Sequence, residues 1–180
     1  MKKNLLSAAL TALFIIGAAT GSRAQNGSDY TPFMLSLATP LQVPPRTFDV
    51  GGLRINLIYG ECRDFDGLDI STVGRATGYA NGLQAALVAN VVDGSGVGLQ
   101  IAPVNYVGDE YVGLPIGVAN YAKTVGGLQI GALFNKADYV EGVQIGLINV
   151  TRQMIGVQIG LINVIQDNDV KFLPIFNCSF

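Results

Sequence analysis

The residue types that usually carry chemistry are scarce in this sequence. Of 180 residues none is histidine or tryptophan, and the only cysteines are Cys62 and Cys178. Losing histidine removes the commonest general base and the commonest metal ligand together. Two cysteines are too few for a disulfide scaffold or a structural zinc site. The stretch Asp64-Phe65-Asp66-Gly67-Leu68-Asp69 places carboxylates at alternate positions, as calcium loops do. It lacks the further ligand spacing and closing glutamate of such a loop, so a solvated turn is the better reading. Asp167-Asn168-Asp169 reads the same way. No serine sits in a nucleophile elbow, and the glycines form no strand–loop–helix phosphate cradle. The expectation is a protein that is not an enzyme, with no catalytic residues, no cofactor and no metal.

What recurs instead is amides. Gln84, Gln100, Gln129, Gln144 and Gln158 form one series, and Asn105, Asn120, Asn149, Asn163 and Asn177 another. Asn90 and Asn135 continue the second series with one inserted residue. A row of evenly spaced glutamines is a candidate binding face, because its amides could match a polymer or another sheet. Stacked asparagines could bond to one another as a structural ladder. Six tyrosines (Tyr59, Tyr79, Tyr106, Tyr111, Tyr121 and Tyr139) gather near the ends of these segments, where turn packing explains them better than a contact surface does.

Elements that repeat must hold these amides. GVQIGLINV occurs at 142–150 and again at 156–164, and related units start at 52, 67, 82, 98, 113, 127 and 170. The nine starts are 14 to 16 residues apart. Residues one, three and five after the lead glycine are apolar, as in Val143, Ile145 and Leu147. Alternation at period two marks a strand with one buried face. The expectation is that the apolar triplet faces inward and the glutamine slot faces water or a polar lumen. Charges from the unit at 82 to the unit at 156 sit in the gaps, among them Asp93, Asp109, Lys123, Asp138 and Arg152.

Two all-β architectures fit. One is a β-solenoid of about nine coils of 14–16 residues, each stacked in parallel on the last. The other is a ten-stranded up-and-down β-barrel, with a strand around Phe33–Leu41 added to the nine units. A one-strand repeat favours stacking by translation, and the asparagine ladder has a purpose only there. Pro103, Pro115 and Pro174 remove ladder donors, which lipid tolerates less well than water. For the barrel speaks the terminal Phe-Asn-Cys-Ser-Phe, although Phe176 and Phe180 then fall on the glutamine face. The solenoid is favoured. It also predicts no Cys62–Cys178 bond, since eight steps of about 4.8 Å hold the two far beyond the ~7 Å a disulfide allows.

The N-terminus supplies an address. Met1-Lys2-Lys3 precedes an apolar run from Leu5 to Ala19, and Ser22 and Ala24 are the small residues of a cut after Ala24. This is the pattern of a signal peptide over 1–24, followed by an N-terminal segment and cap over 25–51 and a β-repeat domain with a closing strand over 52–180. Loss of Lys2, Lys3 and Arg23 with residues 1–24 leaves 156 residues with 8 basic and 13 acidic side chains, a net of −5. That balance argues against a nucleic-acid partner.

The tandem GLQIGLIN-type units, the leading GLRINLIYG and the closing LPIFN-x-SF resemble the bacterial surface-repeat-containing protein family from about residue 33 to the C-terminus. The resemblance implies an exported protein of the cell surface or outer membrane. It leaves the function largely unassigned and supplies no catalytic residues. The residues themselves lead to the expectation of a structural or binding role toward an unidentified surface or envelope partner, with an association with the outer membrane. The alternative reading is a small integral outer-membrane β-barrel.

Overall fold

The computed structural model describes residues 29–180 and, before them, only the strand Ser22–Arg23. The apolar run of the proposed signal peptide and its cut after Ala24 therefore lie outside the described residues. The strands are β1 (Ser22–Arg23), β2 (Asp29–Ala38), β3 (Leu41–Val43), β4 (Asp49–Cys62), β5 (Phe65–Ala76) and β6 (Ala80–Val92). They continue as β7 (Gly96–Ile101), β8 (Val104–Val107), β9 (Glu110–Tyr121), β10 (Thr124–Ile165) and β11 (Phe172–Ser179).

Every pairing from β2 through β4, β5, β6, β7 with β8, and β9 to β10 is parallel. Parallel neighbours about 15 residues apart are the signature of a coil stacked on a coil. An up-and-down barrel would alternate direction at each step. The chain is a β-solenoid, and the barrel is excluded. Lead glycines pair with lead glycines, as in Gly52 with Gly67 and Gly67 with Gly82. β10 runs unbroken through three coils, whereas Pro103 lies at the break between β7 and β8.

The lead glycine is required by the stack. Gly142 and Gly156 have φ of 140° and 142°, a region side chains with a Cβ rarely enter. A Cβ on either would also run into the carbonyl oxygen of the glycine one coil below, Gly127 or Gly142.

The structure corrects three expectations. First, eight glycine-led coils stack in parallel, from Gly52 to Gly156, and the ninth unit does not join them. It is β11, which runs antiparallel along β10, pairing Gln158 with Asn177 and Ile159 with Phe176. Second, the faces are reversed. Gln84, Gln100, Gln129, Gln144 and Gln158 are between 0% and 2% exposed, while Ile145 is 37% and Leu161 60% exposed. The glutamines therefore line the interior and cannot form an outward binding row, and the apolar triplet is the outer face. Third, Asn177 does not extend the asparagine ladder. Its antiparallel strand sets it against Gln158, and its Nδ2 donates to the backbone oxygen of Asn163 at 3.5 Å. The same reversal puts Phe176 outside, so it breaks no pattern.

The core that remains is divided. Two apolar columns run along the axis. One contains Val50, Phe65, Tyr111, Val125, Val140 and Met154, and the other Cys62, Val92, Val107, Ala137 and Ile165. Two amide columns occupy the rest of the interior, on the side where each coil turns its corner.

Candidate functional site

Both amide columns are hydrogen-bond chains, and the asparagine one is continuous from Asn90 to Asn163. Asn90 donates to Asn105 at 3.0 Å, Asn105 to Asn120 at 2.8 Å, Asn120 to Asn135 at 2.9 Å, and Asn135 to Asn149 and Asn149 to Asn163 at 2.8 Å. The second amide proton is also used. Asn105, Asn120, Asn135 and Asn149 donate to the carbonyls of Ile116, Ile130, Ile145 and Ile159 at 2.7–2.9 Å. Each of those carbonyls lies in the next coil, at the corner where the strand bends. Buried backbone acceptors need partners, and here the asparagine supplies one from within.

Glutamines donate the other way. Gln100 bonds to Gln84 at 2.8 Å, Gln144 to Gln129 at 2.7 Å and Gln158 to Gln144 at 2.8 Å. The chain is broken at Pro115, which fills the glutamine slot of its coil. On either side of it Gln100 Oε1 and Gln129 Nε2 are buried without a partner.

Space for the asparagines comes from small residues across the corner. A Cβ on Gly146 would lie 2.6 Å from Asn135 Nδ2 and 3.1 Å from Asn149 Oδ1. In the first two coils the arrangement is exchanged: Gly60 and Gly74 stand in the asparagine slot, and Asn56 and Ser71 point in from across the corner.

Those first coils also hold the charged residues of the glutamine slot. Arg54 and Asp69 are fully buried and paired at 2.5 Å, and Asp69 further accepts from Asn56 and Ser71. Arg54 donates to the Arg75 carbonyl at 3.0 Å and to Cys62 Sγ at 2.8 Å, and lies 4.6 Å over the Phe65 ring. Burial pulls its pKa down, but the charge of Asp69 and the contact with Cys62 outweigh it and leave the net shift upward. Burial raises the Cys62 thiol, with Arg54 opposing. Arg54 Nε and Asn56 Oδ1 are buried without a partner, but the charges are spent on neighbours and the side chains are buried, so the cluster reads as a structural substitute for the amide chain. Asp64 and Asp66 do not converge with Asp69: Asp64 accepts from the Tyr79 backbone N–H and Asp66 from Asn81. Among the described residues no group of three or more His, Cys, Asp or Glu could hold a metal ion. Cys62 and Cys178 are both free thiols.

The outer surface carries the feature that sequence reasoning placed inside. The coils turn their corner on outward apolar residues, such as Leu57 and Ile58, Leu87 and Val88, or Leu147 and Ile148, except the second, which has Thr72 beside Val73 there. Leu87 is 76% exposed. Between the residue after each lead glycine and the residue before each asparagine slot, no outward side chain in any of the eight coils is charged. The opposite corner is where charge collects, in pairs that include Arg75–Asp93 at 2.7 Å, Lys123–Asp109 at 3.5 Å and Arg152–Asp167 at 3.5 Å. Seen down the axis, the solenoid has a polar edge and an apolar edge.

No known relative decides the matter. No family model, curated protein or solved structure matches this chain. The apolar edge is thus the candidate functional surface on geometry alone. Its sequence signal was present: two apolar residues in a row at the corner (Leu147-Ile148, Leu161-Ile162) interrupt the alternation and cannot both point inward. Of the tyrosines, Tyr111 proves to be core, with a buried hydroxyl lacking a partner, and Tyr106 and Tyr121 stack outside at 5.1 Å between centroids.

Proposed function

We propose that this chain is an exported, non-catalytic repeat protein of a bacterial envelope or cell surface, of the kind its units resemble, and that it binds through its apolar edge. The observation that supports this reading is the uncharged outer band running the length of the stack. Soluble monomers rarely expose contiguous apolar surface larger than a few hundred Å², and larger patches mark interaction sites. The charged start, apolar run and small residues before Ala24 support export. Most of the interior amides bond to one another or to the backbone, which suits a scaffold better than a catalyst.

The test is expression of the full chain in a bacterial host, followed by fractionation and mass measurement. The expected result is a protein in the envelope or at the surface whose mass lacks residues 1–24. Recovery in the cytosol with Met1 retained overturns the reading.

A further inference from the structure

We infer that the apolar edge inserts into one leaflet of a lipid bilayer, so that the solenoid lies on the membrane with its axis in the plane and its charged corner in water. This rests on the proposed envelope role and names the partner of the same surface.

The shape of the apolar surface favours a fluid occupant. It covers both sides of the coil as well as the edge between them: Leu99 and Ile101 lie before the corner, Pro103 at it and Val104 after it. A flat partner or a second copy covers one side of such a wedge and leaves the other wet. Acyl chains wet both. The band extends back from the corner over three or four residues, about 10–13 Å at 3.3 Å each, which is within the ~15 Å hydrocarbon of a single leaflet. Seven coil steps of about 4.8 Å make it roughly 34 Å long.

The second observation is independent of hydrophobicity. Backbone polar groups in hydrocarbon must be satisfied within the protein. Along this edge the strands pair with the coils above and below, and the bent corner carbonyls of Ile116, Ile130, Ile145 and Ile159 are bonded from inside by the asparagine ladder. The ladder serves these inward carbonyls in any surroundings, and with them paired the corner asks nothing of water, as immersion in hydrocarbon requires.

The third is the boundary. Where the apolar band ends on the side after the corner, the column reads Glu61, Arg75, Val91, Tyr106, Tyr121 and Lys136. Tyr106 and Tyr121 stack there, and the Lys136 ammonium lies 5.7 Å from the Tyr121 ring centroid. Tyrosines with adjacent charge occupy the headgroup level of membrane proteins.

The chain has no tryptophan, so one introduced indole is a unique reporter. Leu87→Trp at the apolar edge and Asp109→Trp at the charged corner are compared on phosphatidylcholine vesicles containing brominated acyl chains, with flotation as the binding readout. The expected result is flotation unchanged between 0.1 and 1 M salt, with strong quenching and a blue shift for Leu87→Trp and neither for Asp109→Trp. The double variant Leu147→Glu/Leu161→Glu, with circular dichroism as the fold check, is expected to bind at least tenfold more weakly. If it misfolds, the quenching pair still decides. Absence of flotation, quenching at the charged corner instead, or a dimer in sedimentation whose formation shields Leu87→Trp without vesicles each overturn the inference. If flotation fails while the fractionation above still finds the chain in the envelope, the partner is not lipid and the envelope role stands. A cytosolic chain removes both.

Discussion

Replacing Pro115 with glutamine should stabilise the protein. The slot lies between Gln100 one coil before and Gln129 one coil after, and in the present chain it leaves Gln100 Oε1 and Gln129 Nε2 buried without partners. Each such orphan costs about 1–3 kcal/mol. A glutamine in the orientation of its neighbours would accept from Gln129 and donate to Gln100, closing the chain from Gln84 to Gln158. Against this stand about 1.5–2 kcal/mol of side-chain entropy for the ordered glutamine and up to about 1 kcal/mol for the proline's stiffening of the unfolded chain. Central values, about 4 kcal/mol against about 2, leave a gain of about 2 kcal/mol. For a domain of this size each kcal/mol moves Tm by about 2–4 °C, so the rise should be roughly 4–8 °C. Thermal and urea melts followed by circular dichroism read it. Pro115→Ala is the control: it removes the ring without supplying an amide and should give no gain. An unchanged or lower midpoint for Pro115→Gln, with the far-ultraviolet spectrum intact, would refute the view that the broken amide chain is a deficit.

Three further outcomes are expected. Gln144→Ala should destabilise by about 3–5 kcal/mol, since it strips Gln129 Oε1 and Gln158 Nε2 of a bond each and opens a void, whereas Ile145→Asp on the outer face should cost about 1 kcal/mol; a larger loss in urea midpoint for Ile145→Asp would mean the faces are assigned wrongly. Tyr111→Phe removes a buried hydroxyl with no partner and should stabilise by about 1 kcal/mol at neutral pH. Because burial raises the Tyr111 pKa, the stability tied to its neutral form is fully present below the unfolded value of about 10 and is lost as pH rises through the higher folded one, so stability should fall above pH ~10 less steeply in Tyr111→Phe; parallel pH–stability curves would contradict this. In native protein Cys178, half-buried, should alkylate well before Cys62, whose burial keeps its thiol protonated at neutral pH; equal labelling rates by mass spectrometry would count against that burial.

Period, coil length and the asparagine ladder were legible in the sequence because stacking by translation demands like over like. Which face points inward was not. Alternation tells two faces apart but does not say which is buried, and assuming that Ile145 goes in and Gln144 goes out reverses the molecule. The assumption failed because neutral amides one coil apart can satisfy each other along a stack, so a glutamine column is admissible in a core. A second difficulty was the spacing of Gln144 and Asn149. Five residues apart, they would lie on opposite faces of a straight strand, yet both are buried. The irregular corner, visible as the register shift after Gly131, absorbs one residue and turns both inward. The antiparallel course of β11 was equally hidden, since its LPIFN copies the repeat in composition and only Gln166–Lys171 reverses the chain.

The opposed directions of the two amide columns bear on how such a chain changes length. Cut between any two intact coils, the upper surface of one presents a free asparagine donor and a free glutamine acceptor, and the underside of the next presents their complements. Every cut has the same polarity. Removing residues 142–155 would therefore bring together surfaces that already match, Gln158 upon Gln129 and Asn163 upon Asn135, and shorten the rod by one step of about 4.8 Å. The near-identical segments at 142–150 and 156–164 are interchangeable parts in this sense. Nothing within the repeating cross-section fixes how many coils there are; that number is held only by what closes the two ends, β2 with β3 at one and β11 at the other.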